Sequence, residues 1–234
     1  MPGRVESSNA RVWIVIPAYN ESERIAGVVD ELLALGHAVV VVDDGSRVPA
    51  HEVLGDRRVH LLRHAINLGQ GAALQTGISY ALGRGPEVIV TFDADGQHQS
   101  TDLARLIEPV LTGKADVALG SRFLAGGKAV HISSAKRLVL KLAVVFTRLT
   151  TAMPVTDTHN GLRALNRHAA SAITITQNGM AHASQILHEI AAKKLNFVEV
   201  PVTIVYTTYS VQKGQRISNA FNVLWESFAE FFYR

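Results

Sequence analysis

Val88–His98 reads VIVTFDADGQH, and the fold turns on this stretch. Val88–Phe92 is a short apolar run rich in β-branched residues, the pattern of a strand buried on both faces. It ends abruptly at Asp93-Ala94-Asp95, two carboxylates at i and i+2 where strand becomes loop. Hard oxygen donors in that position suit a divalent cation that also bridges to phosphate, although a solvated turn accounts for a bare Asp-x-Asp equally well. Gly96, Gln97 and His98 add further polar groups.

The same arrangement recurs upstream. Ala38–Val42 is a β-branched run ending in Asp43-Asp44-Gly45-Ser46, and Arg11–Pro17 is an apolar run ending in Pro17-Ala18-Tyr19-Asn20-Glu21. Taken singly, each is an ordinary turn or a helix start. Between them lie helical periods at Ser22–Leu35, Gly71–Leu82 and Thr101–Leu111, with weaker strands at Val59–Leu62 and Asp116–Gly120. Strand and helix alternate, so the expected fold is α/β: a mostly parallel sheet flanked by helices. In such sheets ligands bind outside the carboxyl ends of the strands, where all three polar clusters fall. Further on, helices are expected at Ser133–Thr151, Ala183–Lys194 and Ile217–Tyr233 and a strand at Phe197–Tyr206, as an extension of the first sheet.

Composition narrows the function. The chain has 234 residues, 47% hydrophobic and 18% charged, with no cysteine. That length suits one domain over 1–234, divided here into 11–121, 122–216 and 217–234. The missing cysteine excludes disulfides, thiolate metal sites and a thiol nucleophile. No apolar leader or run of about 18 residues is visible, so a cytoplasmic protein is expected. The formal charge of +3 hides an asymmetry: residues 1–121 hold 10 Lys+Arg against 15 Asp+Glu, and residues 122–234 hold 13 against 5. From Val117 to Thr156 there is no acidic residue. An acidic front suits metal or nucleotide chemistry, and a basic back suits an anionic partner.

Six motifs in order carry a resemblance: Ile16–Glu21, Val42–Ser46, Asn67-Leu68-Gly69-Gln70-Gly71, Asp93–His98, Gly120-Ser121-Arg122 and Asp157–Arg163. Together they resemble the family 2 inverting glycosyltransferases of GT-A fold, and among these the polyprenyl-phosphate glycosyltransferases of the dolichol-phosphate mannose synthase-like group. The resemblance runs from about Val12 to Gln215, where Tyr206–Gln215 looks like a bacterial subgroup. It implies that Pro17, Ala18, Tyr19, Glu21, Asp44, Gly71 and Asp93 serve the nucleotide. It implies Asp93, Asp95 and Gln97 around Mg2+ or Mn2+, with Arg122, Arg137 and Lys213 on the acceptor phosphate or donor diphosphate. Asp93, Asp95, Arg122 and Asp157 would form the catalytic group, with Asp157 near the transferred sugar or orienting an arginine. Three positions depart from the pattern: Gln70 where relatives carry Lys or Arg, Ser100 for a frequent proline, and Gln185 for Glu. Gln185 is therefore given no catalytic role.

The expected partners are a nucleotide-sugar (UDP ahead of GDP), a polyprenyl phosphate, the inner face of the cell membrane, a separate small membrane protein and a second copy. Within Ser133–Thr151, Arg137, Lys141 and Arg148 share a face, so the segment reads either as a solvated surface helix or as a helix lying on anionic lipid. The rival readings are a soluble glycosyltransferase acting on a glycan and, from another class, a nucleic-acid-binding basic module. Against the latter, no aromatic stacking run accompanies the basic residues.

Overall fold

The computed structural model describes residues 11–206. Lys213 and the helix expected at Ile217–Tyr233 lie outside the described residues. The elements run β1 (Val12–Ala18), α1 (Ile25–Ala34), β2 (Ala38–Asp43), α2 (Ala50–Leu54), β3 (His60–Arg63), α3 (Gln70–Leu82), β4 (Val88–Thr91), a 3-10 turn (Ser100–Asp102) and α4 (Leu103–Leu111). They continue with β5 (Val117–Ser121), β6 (Lys128–Val130), α5 (Ser134–Thr151), β7 (Arg163–Asn166), α6 (Arg167–Ala172), α7 (His182–Ala192), β8 (Phe197–Pro201) and β9 (Thr203–Val205).

Seven strands form one sheet in the order β3-β2-β1-β4-β7-β5-β8, and β6 pairs with β9 in a small second ladder. Every neighbouring pair in the large sheet is parallel except those of β7, which runs antiparallel between β4 and β5. The mostly parallel α/β expectation therefore holds, and strands of the basic half do extend the first sheet. The period-2 alternation of β1 and β2 sends Ile14, Ile16, Val39 and Val41 to one face and Trp13, Val15, Val40 and Val42 to the other. The first face is covered by α1, α2 and α4, the second by α3, α6 and α7. Burial on both sides explains why these strands are continuous apolar runs.

Two boundaries differ from the sequence reading. The strand expected at Phe197–Tyr206 is two strands. Pro201, opposite Ser121 at the end of β8, brings no backbone N–H to the ladder, and the chain then crosses to β6. The helix expected from Ser22 starts at Ile25, because the Glu21 carbonyl accepts from Arg24 and Ile25 in a preceding turn. Four short elements, α2, β6, β7 and α6, have no counterpart in the sequence reading.

Candidate active site

Because β1, β2, β4 and β5 are parallel, the polar clusters that follow them share one edge of the sheet. β7 begins at that same edge, with Arg163 opposite Thr91, and so the Asp157–Gly161 loop arrives there too. Asp93, Asp95, Arg122 and Asp157 thus come from three separate segments to one place.

The two loops nearest the amino-terminal strands are tied to one another. Asn20, in the left-handed region at φ 54°, donates its N–H to Ser46 Oγ, and its Oδ1 accepts from the Arg47 amide, both at 2.9 Å. Pro17 and Ala18 are buried at the end of β1, while Tyr19 is 44% exposed. Asp43 caps its own turn, accepting from Ser46 N at 2.9 Å and Ala50 N at 3.0 Å. Burial pushes its carboxyl up, but these bonds and Arg63 nearby outweigh burial and hold it below the ordinary range. Asp44 pins the following loop: Oδ1 accepts from Leu68 N and lies 2.7 Å from His64 Nδ1, and Oδ2 accepts from Gly69 N at 2.8 Å. Any nucleotide contact by Asp44 would use its remaining acceptor capacity.

Gly71 sits against the loop before α7. Its amide donates to Asn178 O at 2.8 Å, and a Cβ there would overlap the Gln177 carbonyl oxygen and lie 2.9 Å from His182 Cβ. Only glycine fits. Gln70, the departure from the family pattern, donates to Asp93 Oδ1 at 3.0 Å. Gln185 is buried and braces the same loop, accepting from Thr176 N at 3.0 Å and Gln177 N at 2.9 Å.

Asp93 is 28% exposed, and its Oδ2 lies 2.9 Å from His98 Nε2. Burial works to raise its carboxyl, yet the His98 bond and the Arg163 charge hold it below the ordinary range. Asp95 goes the other way. Burial first, then the neighbouring Asp93 charge, push its carboxyl up, against hydrogen bonds from the Gln97 amide N–H and side chain. Two crowded carboxylates, one of them raised, form a site that a cation would relieve. Among the described residues no three His, Cys, Asp or Glu side chains converge to cage a metal. That suits a magnesium-like ion held by one or two carboxylates, with waters and substrate phosphates completing its shell. The donor set of Asp93, Asp95 and Gln97 fits such an ion.

Arg122 is the hub of the basic side. Its guanidinium and the Asp157 side chain are 6% and 1% exposed, with Nε 2.6 Å from Asp157 Oδ2. The Arg122 amide donates to the same oxygen at 3.1 Å, Nη2 donates to His159 O at 2.6 Å, and Nη1 bonds the Tyr206 hydroxyl. Burial would lower this arginine, but Asp157 and Tyr206 more than compensate and raise it. Asp157 Oδ1 is buried without a hydrogen-bond partner.

Three residues at this edge were not singled out from sequence. Glu199 on β8 accepts from Thr156 N at 2.7 Å, Thr156 Oγ1 at 2.9 Å and Asp157 N at 3.2 Å, and so holds the loop that carries Asp157. Arg163 is buried with Nη1 unpartnered; burial brings it down to about 10, opposed by Asp93 and Asp157. Lys136, in the first turn of α5, places Nζ 4.4 Å from the Tyr206 ring centroid. Burial lowers it, Arg122 adds to that and Asp95 opposes it. Arg137, the basic residue chosen from sequence, is exposed on the helix flank. The signal for Lys136 was there: it shares a helical face with Leu140, Ala143, Val144 and Thr147, which are all buried. Of the histidines, His159 and His182 are lowered to about 4, chiefly by burial, and are neutral at physiological pH.

Comparison with known proteins gives a consistent answer. Residues 13–174 match the family described as Glycosyl transferase family 2. The chain is 34% identical to a polyprenol monophosphomannose synthase of Mycolicibacterium smegmatis, over 90% of this chain and 84% of that protein. It is 29% identical to a UDP-N-acetylglucosamine–dolichyl-phosphate N-acetylglucosaminyltransferase of Methanococcus voltae, over 92% and 93%. Among solved structures, the glucosyl-3-phosphoglycerate synthase of Mycobacterium tuberculosis, in complex with Mn2+, UDP and phosphoglyceric acid, superposes with a TM-score of 0.70 at 15% identity, covering 95% of this chain and 81% of that one.

Proposed function

The chain belongs to glycosyl transferase family 2, and from that footing we propose that it moves a sugar, with inversion, from a nucleotide-sugar to a polyprenyl phosphate at the cytoplasmic face of the membrane. One observation carries the choice of acceptor. Asp157, the carboxylate best placed to serve as a base, is buried, with its charge paired to Arg122 through Oδ2. A sugar hydroxyl needs a base to become a good nucleophile. A lipid phosphate is already ionised at neutral pH and needs cations to offset its repulsion from the donor diphosphate. Arg122 and Lys136 supply that charge side by side.

In this reading Asp93, Asp95 and Gln97 hold Mg2+ or Mn2+. Such an ion, when bound, stabilises the charge that grows on the departing nucleoside diphosphate. The solved neighbour that holds Mn2+ together with UDP supports that donor chemistry on this fold. His98 and Gln70 fix the Asp93 carboxylate from either side. Arg122 keeps one N–H on each terminal nitrogen beyond its bonds to Tyr206 and His159, and these are the donors offered to the acceptor phosphate. Aligning the phosphate oxygen with the anomeric carbon is then the main task left to the protein. Pro17, Ala18, Tyr19, Glu21 and Asp44 are assigned to the base and ribose. Arg137 and Lys213 are assigned supporting roles on the phosphates. A UDP-sugar is favoured over a GDP-sugar.

The test is a panel of UDP- and GDP-sugars with Mg2+ or Mn2+, offered against a polyprenyl phosphate and against free glycans. Nucleoside diphosphate release and a glycolipid product are expected with the lipid phosphate. Turnover with a glycan alone would replace the acceptor assignment, and neither binding nor turnover with any donor would end the enzyme reading.

A further inference from the structure

We propose that Glu199 is a positioning residue for the acceptor end of the site: its ionised carboxylate, acting through Thr156 and Ser121, locks the turn that carries Arg122 against the loop that carries Asp157. This rests on the reading of Arg122 as the ligand of the acceptor phosphate, and it names the group that sets where that ligand stands.

Arg122 and Asp157 lie 35 residues apart in the chain, and a row of hydrogen bonds spans the segments that carry them. Glu199 Oε1 accepts from Thr156 N at 2.7 Å and Asp157 N at 3.2 Å, and Oε2 accepts from Thr156 Oγ1 at 2.9 Å. Thr156 Oγ1 lies 2.6 Å from Ser121 Oγ, and Ser121 Oγ accepts from Phe123 N at 3.2 Å and Leu124 N at 3.1 Å. Ser121 and Thr156 are thereby joined directly behind the ion pair that their next neighbours make.

The row has one direction. A hydroxyl has a single proton to donate. That of Thr156 goes to Glu199, so that of Ser121 goes to Thr156, and both Ser121 lone pairs are left for the Phe123 and Leu124 amides. Every donor then has an acceptor. A neutral group at position 199 reverses the row. A protonated acid or an amide would donate to Thr156, Thr156 would turn its proton to Ser121, and the Ser121 oxygen has no lone pair left for it. The carboxylate satisfies every member. Ser121 is fully buried, so water does not replace a bond lost there.

This carboxylate is held against opposition. Burial pushes the Glu199 carboxyl up and the Asp157 charge adds to that, against the bonds from Thr156 and Asp157. Among the elements around it, β5 sets Leu119 opposite Glu199, and α4 covers the other face of β8 with Val198 and Val200. Phe197 packs into the apolar cluster that α7 covers. α5 brings Arg148, whose Nε donates to Val155 O at 2.7 Å.

Thr156→Val removes the hydroxyl and keeps the shape, whereas Thr156→Ser keeps the hydroxyl. Thr156→Val is expected to speed amide hydrogen exchange about tenfold in both 121–124 and 155–158, and Thr156→Ser to leave both near wild type. In turnover, Thr156→Val should raise the KM for polyprenyl phosphate about tenfold, with the nucleotide-sugar KM and Mn2+ affinity unchanged. Glu199→Gln imitates the protonated acid. Its acceptor kcat/KM should lie about tenfold below wild type near pH 8. The two should converge as pH falls through the folded value of Glu199, which lies above that of an ordinary carboxylate. Taking the ratio of two proteins cancels the ionisation of the acceptor phosphate and of Asp95.

Faster exchange in 155–158 alone overturns the proposal, because Thr156 then does not act on Ser121. So does a Thr156→Ser variant as impaired as Thr156→Val, an equal loss on the donor and acceptor sides, or a ratio that does not change with pH. Should Glu199→Gln fail to fold, the Thr156 pair decides alone. If the wild type glycosylates no polyprenyl phosphate, the functional reading has failed, while the exchange measurements still decide the row.

Discussion

Asp157→Asn separates an orienting carboxylate from a general base. In the wild type one Asp157 oxygen receives the Arg122 amide at 3.1 Å and Arg122 Nε at 2.6 Å, and the two side chains are nearly inaccessible to water. Asparagine preserves the size and one acceptor oxygen but removes the charge. Arg122 then stays buried with no counter-charge, held by the asparagine oxygen, the Tyr206 hydroxyl and the His159 carbonyl. Deleting one member of a buried ion pair costs about 3–5 kcal/mol, and a hydrogen bond to a charged group contributes about 1.5–3 kcal/mol. Because an acceptor survives, we expect a loss of about 2–4 kcal/mol. For a chain of this size that lowers Tm by about 4–16 °C in scanning calorimetry. As Arg122 loosens, the acceptor KM should rise, and kcat should fall on the order of 10–100-fold through misalignment. Wild-type Tm and wild-type acceptor KM, accompanied by a loss of about 10^4 in kcat, would refute the reasoning and make Asp157 the base.

Asp95→Asn should remove metal-dependent nucleoside diphosphate release, with a loss of at least about 10^2 to 10^3 in kcat, and abolish the Tm increase on adding Mn2+. The raised Asp95 carboxyl also fixes a sign: a stabilising contribution present at low pH is lost as pH rises through its folded value. Metal-free Asp95→Asn should therefore be more stable than the wild type at pH 7, and Mn2+ affinity of the wild type should begin to fall at a higher pH than an ordinary carboxylate would give. Calorimetric titrations between pH 4 and 8 check both. Lys136→Gln should raise the acceptor KM by about tenfold or more, the loss of one charged contact, with a smaller effect from Arg137→Gln; comparable effects would contradict the inward placement of Lys136. Gly71→Ala forces a Cβ into the Gln177 carbonyl and should cost about 1–3 kcal/mol as the backbone shifts, seen as a lower Tm and faster proteolysis after residue 174.

The parts of the fold legible in sequence are those decided locally. β1, β2 and β4 were readable because strands buried on both faces must be apolar throughout, and because the chain turns polar the moment it leaves the sheet. β7 was not readable. Arg163–Asn166 has only four residues and owes its existence to two antiparallel neighbours, β4 and β5, that lie far away in sequence. The side-chain roles divide in the same way. Asp43 and Asp44 look equivalent in Asp-Asp-Gly-Ser, and their difference rests on partners elsewhere: Ser46 and Ala50 for the first, His64, Leu68 and Gly69 for the second. Glu199 reads as a lone charge in a valine-rich strand until the Thr156–Asp157 loop is folded over it.

α5 shows why amphipathicity alone could not orient a helix here. Its sequence offers two apolar faces, Leu140–Ala143–Val144 and Leu138–Leu142–Val145–Leu149, and either could be packed inward. Lys136 and Arg137 are adjacent in sequence but about 100° apart around the axis, so the choice of buried face also decides which cation reaches the site. The structure buries the face with the smaller side chains, including Ala143 and Thr147, and leaves the leucine-rich one outside. A helix stabilised only by its own protein would gain more by the opposite choice. What the observed choice secures is the placement of Lys136, which it turns inward beside Tyr206 and Arg122.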